Sequence, residues 1–161
     1  MSRRGAEDAE GSEGRVEPGT ELNRLTEAVI GAAIEVHREL GPGYLESFYE
    51  RAMCAEMTER GIVFVRQAQF PVFYKNVLLG ETRLDLLIDR RVLVELKASE
   101  GYASVHLAQV MSYLKATRLT LGLLINFNVR SLRDGVRRVV RTPLSSAPSA
   151  PLRRPPNNSA Q

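Results

Sequence analysis

A chain of 161 residues, 43% hydrophobic and 25% charged, can bury one real core and is too short for several domains. Its net charge of +3 is modest, and its single cysteine, Cys54, excludes an internal disulfide and any multi-cysteine metal site. No apolar run approaches the roughly 18 residues of a membrane span, and "MSRRGAEDAEGSEG" lacks a signal peptide's apolar segment, so no membrane association and a cytoplasmic location are expected.

Residues 1–19 carry three basic and five acidic side chains and almost no large apolar ones; they are expected to be disordered. Residues 142–161, Pro- and Ser-rich, are expected to form a second unfolded tail. Such tails can recruit a protein partner, although nothing in their composition names one. The domain is then 20–141.

Within it, Leu22, Leu25, Val29, Ala33, Val36 and Leu40 follow the 3.6-residue period and predict a helix, stopped by "GPG" at 41–43. A second helix is predicted from Tyr44 to Arg60, with Gly61 as its C-cap. The period then changes. "IVFV" and "QFPVFY" read as strand segments, with Pro71 requiring an edge or a bulge. "VLLGETRLDLLI" and "VLVELKA" read as further strands. A helix is predicted over 104–116, with Leu107, Val110, Met111 and Leu114 on one side. "LGLLINF" (121–127) reads as a strand buried on both faces, and "RRVV" adds a last short strand. This order predicts an α/β (α+β) domain with a mixed sheet.

The strand segments hold charges that a sheet interior normally refuses. A three-residue turn at Asp89, Arg90 and Arg91 pairs Ile88 with Val92. The register then sets Asp85 opposite Glu95 and Arg83 opposite Lys97. Opposed side chains on one face have Cβ atoms about 4.5–5.5 Å apart. Two buried carboxylates that close repel each other, and a Mg²⁺ or Mn²⁺ ion between them would remove the repulsion. Lys97, two residues after Glu95, points to the same face and suits the stabilisation of phosphate charge. The same residues can also be read as an ion-pair network in which Lys97 and Arg83 neutralise Asp85 and Glu95.

Two further polar sets accompany them. Gln109 and Tyr113 stand at i, i+4 on one helix face, with His106 one turn earlier. Glu46 falls in the first turn of the second helix, after Gly43, with Tyr49 at i+3. Near the C-terminus, "VRSLRDGVRRVVR" sets five arginines against one aspartate. Arg130, Arg133, Arg137 and Arg138 form a candidate nucleic-acid-binding patch.

Together these residues resemble the PD-(D/E)XK nuclease superfamily, and within it the small bacterial GxxExxY proteins. Gly43, Glu46 and Tyr49, followed by Glu50, stand as the name motif. Asp85 matches the acidic residue of the second core strand, and Glu95 and Lys97 match E-x-K. Gln109 and Tyr113 match the Q-x-x-x-Y of RecB-like nucleases. Leu84 stands where the superfamily name has a proline. The resemblance implies a restriction-endonuclease-like core: a helix, a three-stranded antiparallel meander, a helix and a parallel strand, preceded here by an extra N-terminal helix. It implies Mg²⁺ or Mn²⁺ held by Asp85, Glu95 and the Leu96 backbone carbonyl, with Glu46 as a further ligand. Lys97 would position or activate a metal-bound water, and Gln109 and Tyr113 would orient the site or contact the nucleic acid. The implied activity is phosphodiester hydrolysis in nucleic acid, DNA before RNA. The alternative is a catalytically inactive module of the same fold that binds nucleic acid or a protein partner.

Overall fold

Apolar periodicity builds the first layer of the molecule. The computed structural model describes residues 19–101 and 103–143. The tails expected at 1–19 and 142–161 lie outside the described residues, except for Gly19, Thr142 and Pro143. Helix α1 (Thr20–Leu40) buries Val29, Ala32, Ala33 and Val36 on one stripe, as its sequence period demands. Helix α2 (Glu46–Glu59) buries Tyr49, Met53 and Met57 against it. It begins two residues later than the sequence suggests, because Tyr44 and Leu45 belong to the extended entry segment. Its end is double-latched: Gly61 N–H donates to the Thr58 carbonyl at 3.1 Å and Ile62 N–H to that of Met57 at 2.9 Å.

The two predicted segments 62–65 and 69–74 merge into one strand, β1 (Phe64–Tyr74). Strands β2 (Val77–Ile88) and β3 (Val92–Lys97) complete an antiparallel meander. Helix α3 (Ser104–Thr117) crosses over and returns the chain to β4 (Leu121–Asn126), parallel to β3. A 3₁₀ turn (Leu132–Gly135) leads to β5 (Val136–Val140), antiparallel to β4. Strand order is β1-β2-β3-β4-β5, so Pro71 lies on an edge strand, and the register shifts between Val72 and Phe73.

Each face of the sheet carries its own core. Leu86, Ile88, Val92, Val94, Leu96, Leu121, Leu123 and Ile125 pack under α1 and α2. On the other face Phe70, Leu84, Leu93 and Leu124 meet Val110 and Leu114 of α3. Strand β4 is buried at every residue, which explains its unbroken apolar run. Its one glycine lets α3 approach closely, since a β-carbon on Gly122 would stand 2.9 Å from Val110 Cγ1. The second core is narrow and accepts only an i, i+4 pair from α3. Leu107, expected on the core side with Val110 and Leu114, is therefore 38% exposed, and Met111 is half-buried. Among the described residues no helix is long and apolar enough to cross a membrane.

Candidate active site

The site forms where the meander opens. The β2–β3 ladder runs through Ile88↔Val92, Leu87↔Leu93 and Leu86↔Val94, as the turn predicts, and then stops. Asp85 and Glu95 are thus in phase but not paired through the backbone. The expected Arg83–Lys97 pairing does not occur: Arg83 pairs with Gln69 of β1 and is exposed. The physical cause lies in β1. Gln67 has φ +51°, and the β1–β2 ladder passes from Arg66↔Leu86 to Ala68↔Leu84 without a Gln67–Asp85 pair. Beyond this kink the hairpin swings away from β3. Leu84 joins the α3-side core, although Leu86 and Ile88 belong to the α1/α2 side.

A fork between β2 and β3 results, and Asp85 closes it with its side chain. Asp85 Oδ2 accepts the Leu96 N–H at 2.8 Å. On the other side, the Lys97 carbonyl accepts Phe127 N–H at 2.9 Å. Successive peptide groups alternate in direction, so Leu96 turns both its N–H and its carbonyl away from β4 and toward the fork. Glu95 and Lys97, flanking it, share the opposite sheet face from the Leu96 side chain. Lys97 Nζ lies 3.5 Å from Glu95 Oε1.

Glu95 is 5% exposed, and its Oε2 is buried without a hydrogen-bond partner among the described residues. Burial, reinforced by the negative charge of Asp85, pushes its carboxyl up to about 8; Lys97 opposes that shift and Glu46 adds to it. Asp85 is also raised, first by burial, against the stabilising Leu96 N–H. Glu46 opens α2 from the side of α1. It too is raised, by loss of water around it, with Lys97 lowering it and Asp85 and Glu50 raising it.

The motif around Glu46 divides its labour. Gly43 (φ +112°) makes the turn that aims α2. Tyr49 faces the core, fully buried, stacked on Phe127 with ring centroids 4.4 Å apart and donating its hydroxyl to the Gly41 carbonyl at 2.6 Å. It locks the start of α2 to the end of α1. Glu46 and Glu50, one turn apart, occupy the site side of the helix.

Glu50 is a site residue that the sequence did not single out beyond its place after the motif. It is 7% exposed and is held by Arg66 Nε on Oε1 and by Gln67 Nε2 on Oε2 at 2.9 Å. Gln67 Nε2 also lies 3.4 Å from Asp85 Oδ1. Asn126 was likewise missed, and its only signal was an amide in an otherwise apolar strand. Gln109 and Tyr113 bond each other at 2.8 Å, and the Tyr113 ring meets Phe70 edge-on. Among the described residues neither is hydrogen-bonded to Asp85, Glu95 or Lys97. His106 Nδ1 is buried without a partner among the described residues.

The four arginines do not form one patch. Arg130 and Arg133 flank a cleft of about 330 Å³ beside His37 and Arg38, beyond the C-terminal end of β4. Arg137 and Arg138 stand on opposite faces of β5, paired with Leu124 and Leu123. Arg138 bonds the Asn23 side chain on α1, and Arg137 bonds the carbonyls of Asp134 and Val136.

The donor set suits a hard divalent cation. Four carboxylates (Glu46, Glu50, Asp85, Glu95) face two cations (Lys97, Arg66), a formal excess of two negative charges when all are ionised. Arg83, the other cation of the ion-pair reading, makes no salt bridge among the described residues. No three His, Cys, Asp or Glu side chains there converge as a closed ligand set. Mg²⁺ does not need one, since it is held by one or two carboxylates with waters and substrate oxygens completing its shell. The unpartnered Glu95 oxygen and the carboxyls raised by burial and by one another leave the fork rich in acceptor oxygens.

No match is found among curated proteins or among solved structures. A family model described as the PD-(D/E)XK nuclease superfamily matches residues 23–139, from the first turn of α1 into β5. With the two helices, the meander, the crossover and the charged fork all inside that span, the chain belongs to the PD-(D/E)XK nuclease superfamily.

Proposed function

We propose that the protein is a Mg²⁺- or Mn²⁺-dependent nuclease of the GxxExxY type that hydrolyses phosphodiester bonds, with DNA as the first candidate substrate. The observation that carries this reading is the unpartnered, buried Glu95 oxygen beside Asp85, an arrangement that is costly unless a cation completes it. The ion would supply Lewis-acid polarisation of the phosphate and a more acidic water.

Asp85, Glu95 and the Leu96 carbonyl are the groups proposed to hold it, with Glu46 reaching in from α2. Asp85 keeps one oxygen on the Leu96 N–H, which fixes the carboxylate's rotation. Lys97 is largely buried, so its ammonium is directed at the site rather than at bulk solvent. There it orients the attacking water or balances charge developing on the phosphate. Gln109 and Tyr113, bonded to each other at the edge of α3, are proposed to contact the nucleic acid.

The Lys97–Glu95 pair favours a second reading, an inactive module in which that pair is structural. A panel of labelled single-stranded, double-stranded and branched DNA and RNA, with Mg²⁺ or Mn²⁺, separates the two. Cutting that stops with EDTA and in Glu95→Ala supports the nuclease. No cutting by the wild type, with no gain in melting temperature on adding metal, supports the inactive module.

A further inference from the structure

Arg66 and Gln67 are consecutive in β1, yet both hold one carboxylate. Arg66 takes Glu50 Oε1 and Gln67 takes Oε2. In a regular strand successive side chains point to opposite faces, so one of them would have to turn away from α2. The φ of +51° at Gln67 removes that alternation. Such a conformation is disfavoured for any residue with a β-carbon and persists only where its surroundings hold it. Here the surroundings are the site itself: the ladder is open at Gln67 and Asp85, and the Gln67 amide lies 3.4 Å from Asp85 Oδ1.

We propose that Gln67 is a positioning residue for the metal centre, an amide strut that is anchored on the Glu50–Arg66 pair and sets the orientation of Asp85. The inference rests on the metal-binding reading given above. With Leu96 N–H on Oδ2 and the Gln67 amide near Oδ1, the Asp85 carboxylate is held at both ends. The chemistry of the strut matters. A neutral amide orients a carboxylate and leaves its charge available to a cation, whereas an arginine or lysine in its place would neutralise it. The charge of Glu50, by contrast, is already met by Arg66. Glu50 therefore serves as the anchor and Asp85 as the ligand.

The test uses Gln67→Gly in the full chain, because glycine adopts a positive φ freely and the change removes the amide without adding strain. Mn²⁺ affinity is measured by electron paramagnetic resonance without nucleic acid, beside the metal-free melting temperature and the steady-state kinetics. The expected result is a Kd for Mn²⁺ raised about 10–100-fold, the usual cost of losing a group that orients a metal ligand. The metal-free melting temperature and the KM for nucleic acid stay close to wild type, while kcat falls. Glu50→Gln should weaken Mn²⁺ binding in the same way, and the double variant should lose little beyond either single change. Wild-type Mn²⁺ affinity in Gln67→Gly would overturn the proposal and leave Gln67 a bridge of the fold alone. No Mn²⁺ binding by the wild type would overturn the metal reading itself, and this inference with it. Should Gln67→Gly not fold, Gln67→Asn replaces it with the same outcomes, since asparagine tolerates positive φ and its amide falls one methylene short.

Discussion

Lys97 Nζ approaches Glu95 from one side only, 3.5 Å from Oε1, and the other carboxylate oxygen is left buried and unpartnered. A buried pair retained for stability is expected to satisfy both oxygens, because desolvating a carboxylate costs several kcal/mol. The one-sided geometry instead leaves Oε2 as a buried acceptor without a partner among the described residues.

Replacing Lys97 with methionine separates its two possible duties. As a group acting on the phosphate or the water, its loss should lower kcat about 10²–10³-fold, the scale found for removing one preorganised donor. Mn²⁺ should bind at least as tightly as in the wild type, because a repelling cation has gone. As a structural counter-charge, its loss would instead cost roughly 3–5 kcal/mol of stability. Kinetics and thermal unfolding of Lys97→Met decide between the two, and retained cleavage would end its catalytic assignment.

The raised Glu95 carboxyl gives the metal-free protein an unusual pH dependence. In the folded state Glu95 keeps its proton up to about pH 8. In the unfolded chain a glutamate releases it near pH 4.3. Between these values the folded state binds the extra proton. Its contribution to stability is complete below the unfolded value and is lost as pH rises through the folded one. Asp85, raised as well, adds in the same direction. The melting temperature in EDTA should therefore fall from pH 5 to pH 8, with a slope of up to about 1.4 kcal/mol per pH unit for each proton involved. Glu95→Gln should flatten that slope and be the more stable protein at pH 8. A wild-type curve that is flat, or that rises over this range, would contradict the burial of Glu95 with one oxygen unpartnered.

Most of the fold was legible because it is written in periods. The 3.6-residue stripe of α1, the unbroken apolar run of β4 and the turn pairing Ile88 with Val92 need only neighbouring residues to read. Asp85, Glu95 and Lys97 stood out because strand interiors rarely hold charge. What could not be read is the kink. Nothing in "VRQAQ" announces a positive φ at Gln67, since glutamine seldom adopts one, and the strain is stabilised by Glu50 from another element. Without the kink, the register carried on to Arg83 and Lys97 and predicted a pairing that the fork abolishes. The distribution of the arginine run was unreadable for a related reason: a charge run has no fixed face until the strand beneath it is known. Arg137 and Arg138 then alternate across β5.

Asn126 offers a test of how the fork is held from the β4 side. It is fully buried, and Oδ1 accepts from the Ser99 and Asn128 amides at 3.2 and 3.1 Å. Its Nδ2 donates to the Ser99 and Gly101 carbonyls at 2.8 and 3.3 Å. One side chain thus ties the segment after Lys97 to the end of β4. Each such bond contributes about 0.5–1.5 kcal/mol, and buried groups left unpaired cost more. Asn126→Ala should destabilise the domain by about 2–4 kcal/mol in chemical denaturation. Asn126→Asp keeps the acceptor, loses both donors and adds a charge, so it should be no better. A change below about 0.5 kcal/mol, the usual scale of a surface substitution, would show that the loop is held by something else.

The arginines can be sorted by salt. Arg130 and Arg133 form no ion pair or side-chain hydrogen bond among the described residues, and they border an open cleft beyond the C-terminal end of β4, the end where Lys97 lies on β3. Arg138 is engaged by Asn23, which ties β5 to α1. If the first two reach phosphates of a bound duplex, each neutralised contact adds about 0.9 to the slope of log affinity against log salt. Arg130→Gln and Arg133→Gln should each weaken binding across all sequences and lower that slope by about one. Arg138→Gln should leave the slope unchanged and cost about 1 kcal/mol of stability through the lost bond. Binding isotherms at three or four salt concentrations, with a melting curve for each variant, check both halves. A slope lowered by Arg138→Gln and untouched by the other two would move the phosphate path from the 128–135 loop to the β5 edge.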